Sequence, residues 1–266
     1  MKKKSPFTAK AVAVLALIFF YLPIIYVVIF SFNSSRSLTN FTGFSLRWYR
    51  KMFATRTMME AVYFTILIAC IATFVATVVG TITAIGLSKS SRLIRETITQ
   101  MNNLSMTNPD IVTAIGLMLF FSSLHFPSGF FTLLLAHIIF CIPYVMLSVT
   151  PKLRQLDDNL AEAALDLGCT PAQALLKVII PQILPGIISG ALTAFTMSFD
   201  DFVISYFVTG PGVNNISTYV YSSIKRINPS INALSSLIVL AITVILILLT
   251  VVPLIRDRRR KNEKMA

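Results

Sequence analysis

AVYFTILIACIATFVATVVGTITAIGL, residues Ala61–Leu87, runs for 27 positions without Asp, Glu, Lys, Arg, His or Pro. A bilayer core is about 30 Å thick, and about 20 helical residues cross it at about 1.5 Å each. The run is continuously apolar and does not alternate, so it does not read as a barrel strand. In lipid every backbone N–H and C=O needs a partner, and a helix supplies its own. The stretch therefore reads as a membrane-spanning helix.

Five further runs qualify on the same grounds: Ala11–Phe32, Leu104–Leu124, Phe130–Val149, Gly186–Val208 and Ile231–Ile255. The expectation is an all-α membrane protein with six transmembrane helices and one transmembrane domain over residues 1–266. Composition agrees: 55% of the 266 residues are hydrophobic and 13% charged, where a soluble domain carries roughly 25% charged residues. The first run follows Lys2, Lys3 and Lys4 like a secretory signal. It is longer than the roughly 7–15 residues of such a signal, and no small-residue cleavage site follows, so an uncleaved helix is expected.

The net charge of +12 lies at the chain ends and in loops between apolar runs. That placement excludes nucleic acid as a partner and fits lipid headgroups and the positive-inside bias. With the N-terminus inside, the cytoplasmic segments hold 16 Lys and Arg and the outer segments hold 7. Both termini are expected in the cytoplasm. Cys70, Cys141 and Cys169 are odd in number and two lie in apolar runs, which argues against a disulfide framework. His125 reads as a loop residue and His137 as a packed helix residue, with no metal-ligand spacing. The outer loop Asn33–Glu60 carries Phe41, Phe44, Trp48, Tyr49 and Phe53. It reads either as an interfacial segment anchored by Trp48 and Tyr49 or as a docking surface for an external partner.

Pro151–Pro185 is too polar to span and too patterned to be disordered. Asn159 with Glu162, and Thr170 with Gln173, have capping-box spacing. Leu156, Leu160, Ala163, Ala164 and Leu167 form an apolar stripe at helical period, and Gly168 follows as a residue free to take positive φ. Pro171 opens a second short helix that Pro181 is expected to end. The loop predicts a stiff helix–Gly–helix elbow, with small side chains at Ala163 and Ala164 that let another backbone approach.

Glu162-Ala163-Ala164, Gly168, Val178 and Ile180-Pro181 together resemble the EAA motif of ABC importer permeases. The resemblance implies a type I importer fold and makes the elbow a coupling helix, with Glu162, Ala163, Ala164, Gly168 and Pro181 seated on an ABC ATPase dimer. The chain has no phosphate-binding G-x-x-x-x-G-K-[ST] loop. It is therefore expected to be a non-catalytic subunit that binds no cofactor itself, with ATP and Mg used by the partner ATPase.

Acidic residues inside a span are costly, at about 2.5–3.5 kcal/mol for Asp at a helix centre, and are functional candidates by default. Asp200 and Asp201 lie in the fifth run and Asp110 near the inner end of the third. Asp200 and Asp201 read as pathway residues or as helix-end residues bonded to backbone or to Lys225 and Arg226. Asp110 reads as a cap or a pathway residue. With Phe199, Phe202 and Tyr206 they suit an organic cation, through ion pairing and cation–π contact.

The string Ser198–Phe207 with Thr209-Gly210-Pro211-Gly212 and Ser217–Arg226 is similar to the spermidine/putrescine permeases, above all the second permease of that system. Phe44–Tyr49 and Asn108–Val112 resemble it too. The resemblance implies a polyamine importer in the bacterial inner membrane, built with a second homologous permease, an ATPase dimer and an external polyamine-binding protein. The same type of importer for another small solute, and an ion-coupled secondary transporter, are the alternatives.

Overall fold

The computed structural model describes residues 7–157, 159–223 and 228–263. The helices are α1 (Phe7–Ser31), α2 (Arg47–Ala54), α3 (Arg56–Ser88), α4 (Arg92–Thr107), α5 (Asp110–Ser123), α6 (Phe130–Leu153), α7 (Leu160–Asp166), α8 (Pro171–Ala174), α9 (Ile180–Asp200), α10 (Val203–Val208), α11 (Ile216–Ser223) and α12 (Pro229–Glu263). A π-helical turn, Leu175–Ile179, joins α8 to α9. Extended pairing among the described residues is limited to one isolated bridge, Asn33 to Phe44.

Four stretches are long and apolar enough to cross a membrane: Ala9–Ser31, Arg56–Ser88, Phe130–Leu153 and Pro171–Asp200. Two of the expected spans are not single rods. The run Leu104–Leu124 is split at Asn108 and Pro109, where α4 and α5 meet at 107° and pass the length test only as a pair. A residue before proline is pushed out of the α region, and Asn108 accordingly sits at ψ 138°. The run Gly186–Val208 is split at Asp201, whose ψ of 130° is extended. Helix α12 covers the sixth expected run, with its apolar part described through Ile245.

The chain packs as two units, Met1–Met59 with Ser222–Ala266, and Glu60–Tyr221. In the first, α12 packs on α1 and α2. Trp48 is fully buried there. Its indole N–H donates to the Asn33 carbonyl at 2.6 Å, and Tyr49 shares a 2.7 Å hydrogen bond with Ser31. The expected interfacial anchor Trp48 is thus a core residue: an indole N–H needs an acceptor, and a carbonyl just past a helix end is free to be one. Asn33, also buried, folds the loop around itself, donating to the Ser37 and Asn40 carbonyls and accepting from the Thr42 N–H. Phe41, Phe44 and Phe53 stay exposed.

In the second unit, α9 lies along α6. Gly186, Gly190, Ala194 and Ser198, four residues apart, are the buried face of α9. A Cβ on Gly190 would stand 3.1 Å from Val145 Cα, and one on Gly80 of α3 would stand 2.9 Å from Val145 Cβ. Small residues bring these backbones close, as in other membrane bundles. Ala76, Ala84, Cys141, Val145, Val149, Ile183 and Ala194 form the core there. A second core joins Phe121, Leu133, Ala136, Ile204 and Val208, so that α10 packs on α5 and α6.

Candidate functional site

The elbow forms, with two differences from expectation. Gly168 takes φ +83° just past α7, with open space around it. Its N–H bonds to the Leu165 carbonyl at 2.9 Å and the Cys169 N–H to the Ala164 carbonyl at 3.0 Å. These are the two bonds of a Schellman end. Thr170 accepts from the Gln173 N–H at 3.3 Å while Gln173 accepts from the Thr170 N–H at 3.0 Å, so the second capping box is complete. The first is not: Asn159 is the N-cap in α-helical geometry with no side-chain bond, and its own N–H is held by Asp157 at 3.0 Å. Nor does Pro181 end the second helix. The Ile180 N–H reaches back five residues to Leu175, and the helix continues to Asp200. Proline clashes with the carbonyl four residues earlier, and a widened π turn moves that carbonyl off the α register.

Ala164 and Ala174 are buried where α7 and α8 meet, whereas Glu162, Ala163, Asp166 and Gly168 are exposed. Leu167, expected within the apolar stripe, is 87% exposed, since the chain is already turning at the helix end. Between the elbow and the ends of α3 and α6 lies a cavity of about 350 Å³, lined by Ile85, Leu153, Leu156, Ala161, Leu165 and Ala174 among others. Asp158, within the elbow's approach, lies outside the described residues.

The second feature is the break between α9 and α10. Asp200 is the last residue of α9 and is exposed. Asp201 has a side chain only 6% exposed. Its Oδ1 accepts the Ile204 N–H at 3.2 Å, and its Oδ2 accepts both the N–H and the hydroxyl of Ser205 at 2.7 Å. The carboxylate thus caps α10, the helix-end alternative for this residue. The other suggested partners, Lys225 and Arg226, lie outside the described residues.

Around this cap lies a buried polar network. His137 of α6 bonds through Nδ1 to Ser198 Oγ at 2.7 Å and through Nε2 to Ser205 Oγ at 3.0 Å, with Asp201 Oδ2 at 3.5 Å from Nε2. Asn215 Nδ2 donates to Ser205 Oγ at 2.7 Å and to the Asp201 carbonyl at 3.1 Å. The Ser205 hydroxyl has one hydrogen, given to Asp201, so His137 Nε2 is the donor to Ser205, and in the neutral ring Nδ1 accepts from Ser198. His137, Ser198, Ser205 and Asn215 were not among the sequence candidates. The available signal was polarity inside apolar runs, with two serines bracketing the paired aspartates.

Phe202, Tyr206 and Tyr221 form a ring cluster with centroids 4.9–5.6 Å apart, and both tyrosines are about half exposed. Phe199 stacks on Phe195 at 5.8 Å. Asp110 is the exposed first residue of α5. There a carboxylate is favoured by the helix dipole, with no side-chain cap bond at that end of the helix. The structure thus unites Asp201 with the helix ends, leaves Asp200 and Asp110 with exposed side chains, and clusters Tyr206 with Phe202 and Tyr221.

A multi-pass helical membrane subunit with a folded elbow and a broken span is the class these features define. The chain belongs to the family of binding-protein-dependent transport system inner membrane components, whose profile matches residues 76–261. It is 39% identical over 242 residues to the putrescine transport system permease protein PotI of Escherichia coli K12, covering 88% of this chain and 86% of that one. It is 37% identical over 222 residues to the spermidine/putrescine transport system permease protein PotC of Haemophilus influenzae, covering 83% and 86%. Among solved structures, a bacterial ABC transporter involved in import of the acidic polysaccharide alginate matches with a TM-score of 0.68 at 17% identity, over 95% of this chain and 99% of that one. That likeness shows the type I importer permease fold and nothing about cargo.

Proposed function

We propose that the chain is the polyamine-translocating permease subunit of an ATP-driven importer, equivalent to the second permease of a spermidine/putrescine system. The observation that carries the cargo is the likeness, over most of both chains, to permeases named for putrescine and spermidine. The subunit itself is non-catalytic. An ABC ATPase dimer uses ATP and Mg, a second permease completes the membrane path, and an external protein delivers the polyamine. Six spans with both termini in the cytoplasm put the elbow on the ATPase side.

In this reading Glu162, Ala163, Gly168 and Leu167 meet the ATPase, while Ala164 holds α7 on its neighbours and Pro181 with the π turn joins the elbow to α9. Because the helix runs without interruption from Pro171 to Asp200, a push on the elbow reaches the break directly. Asp200, Asp110, Phe199 and Tyr206 face the cargo, and Asp201 keeps the break in shape beside them. An alkyl diamine or triamine is met by carboxylate charge and aromatic faces.

The test is uptake of labelled putrescine and spermidine in cells stripped of their own polyamine import. The full set of subunits should restore uptake and omission of this chain should abolish it. Restoration of some other solute, with neither amine moved, rejects the cargo. Transport by the purified chain alone rejects the ATP-driven class.

A further inference from the structure

Helix α6 carries one fully enclosed polar ring, His137, 2% exposed. An unpaired imidazole within a span would be costly, and intramembrane polar groups are retained where they do something. Its two nitrogens bridge Ser198, before the break, and Ser205, after it. Asn215 adds a third strut from the segment preceding α11, and the Thr65 hydroxyl accepts the Ile216 N–H at 2.8 Å, tying that segment to α3.

A helix that stops inside the protein leaves backbone groups that must be satisfied. Here Asp201 satisfies the Ile204 and Ser205 N–H groups of α10, and His137 and Asn215 hold the Ser205 hydroxyl that bonds to Asp201. The two aspartates are thereby sorted: one carboxylate is turned inward and the other is left exposed. Without the bridge, Ser198 and Ser205 lose their common partner, and α6 holds the two sides of the break only by packing and by separate bonds to carbonyls, from Cys141 to Ala194 and from Thr132 to Val208.

We propose that His137, as the Nε2–H tautomer, is a positioning residue for translocation: it clamps the helices on either side of the break so that, of the two adjacent aspartates, only Asp200 meets the ammonium cargo. The proposal rests on the polyamine reading above. His137 touches no cargo itself. Its role is to keep a charged group on a rigid element at a set place, which is what a selective path requires.

The experiment uses the complete transporter in liposomes, with polyamine moved and ATP hydrolysed measured together. His137→Leu removes both hydrogen bonds at similar volume, and His137→Gln keeps a donor near the Nε2 position. The expected result is that H137L moves about ten- to a hundredfold less putrescine or spermidine per ATP, the upper figure being the scale on which a misplacement of about 1 Å acts. ATP hydrolysis stimulated by the loaded binding protein persists, and H137Q recovers a large part of the yield. Unchanged yield in H137L, or H137Q no better than H137L, overturns the proposal. Should H137L fail to assemble, Ser205→Ala decides: it breaks the link between His137 and Asp201, and an unchanged yield there overturns the proposal equally. A wild-type transporter that moves neither amine overturns the polyamine reading and this inference with it. A wild-type transporter that moves them beside an unaltered H137L overturns this inference alone.

Discussion

Asp200 and Asp201 are chain neighbours with opposite surroundings, and that contrast can be measured. Asp201→Asn puts an NH₂ or a weaker acceptor against three donors, from Ile204 and Ser205. A buried group left unpaired costs about 1–3 kcal/mol, so the thermal unfolding midpoint of the detergent-purified protein should drop. Asp200→Asn changes an exposed side chain. It should leave that midpoint unmoved while polyamine uptake falls. Gly168 offers a second residue-scale test. Open space surrounds it, so the penalty of Gly168→Val is backbone strain at φ +83°, about 1–2 kcal/mol for an L side chain forced left-handed. The elbow should lose its Schellman end, and uptake should fall while the amount of chain in the membrane, read by immunoblot, holds.

At the scale of elements, the contact between α6 and α9 depends on missing side chains. Gly190→Val drives new carbons into the Val145 backbone, which a Cβ would already approach to 3.1 Å. Overpacking of this kind costs about 1–3 kcal/mol, and the purified protein should unfold at lower temperature. The elbow depends on surface instead. Glu162 is exposed on α7, so Glu162→Ala should leave unfolding unchanged. Its effect should appear as about tenfold weaker ATPase association, or about 1.4 kcal/mol, in pull-down titration. Equal ATPase recovery with and without Glu162 would remove the elbow from the coupling role.

For the whole molecule, the proposed energy source is a partner ATPase, so removing ATP or Mg should separate transport from folding. Chelating Mg or withholding ATP should stop uptake in liposomes carrying the complete transporter. The helical content of the purified chain, read by circular dichroism, should not change, because its cores are packed from its own side chains. A loss of helix on chelation would place a metal in the permease itself. Polyamine protection of a thiol reporter at Asp110 should persist under the same conditions if cargo still enters the path.

Membrane character, all-helical class and the presence of an elbow were legible in the residues, because apolar runs, caps and a glycine after a helical stripe are local signals. Gly168, Thr170 and Gln173 behave as their spacing says. The Asn108–Pro109 bend and the break at Asp201 were legible only as a proline and an acidic pair: their angles depend on what packs beside them. Which aspartate is buried, where His137 finds its two serines, and why Trp48 sits inside were decided by tertiary structure alone. Ser198 and Ser205 lie 61 and 68 positions from His137 along the chain. A hydrogen bond between remote residues leaves no periodicity in sequence, and only folding brings donor and acceptor within reach.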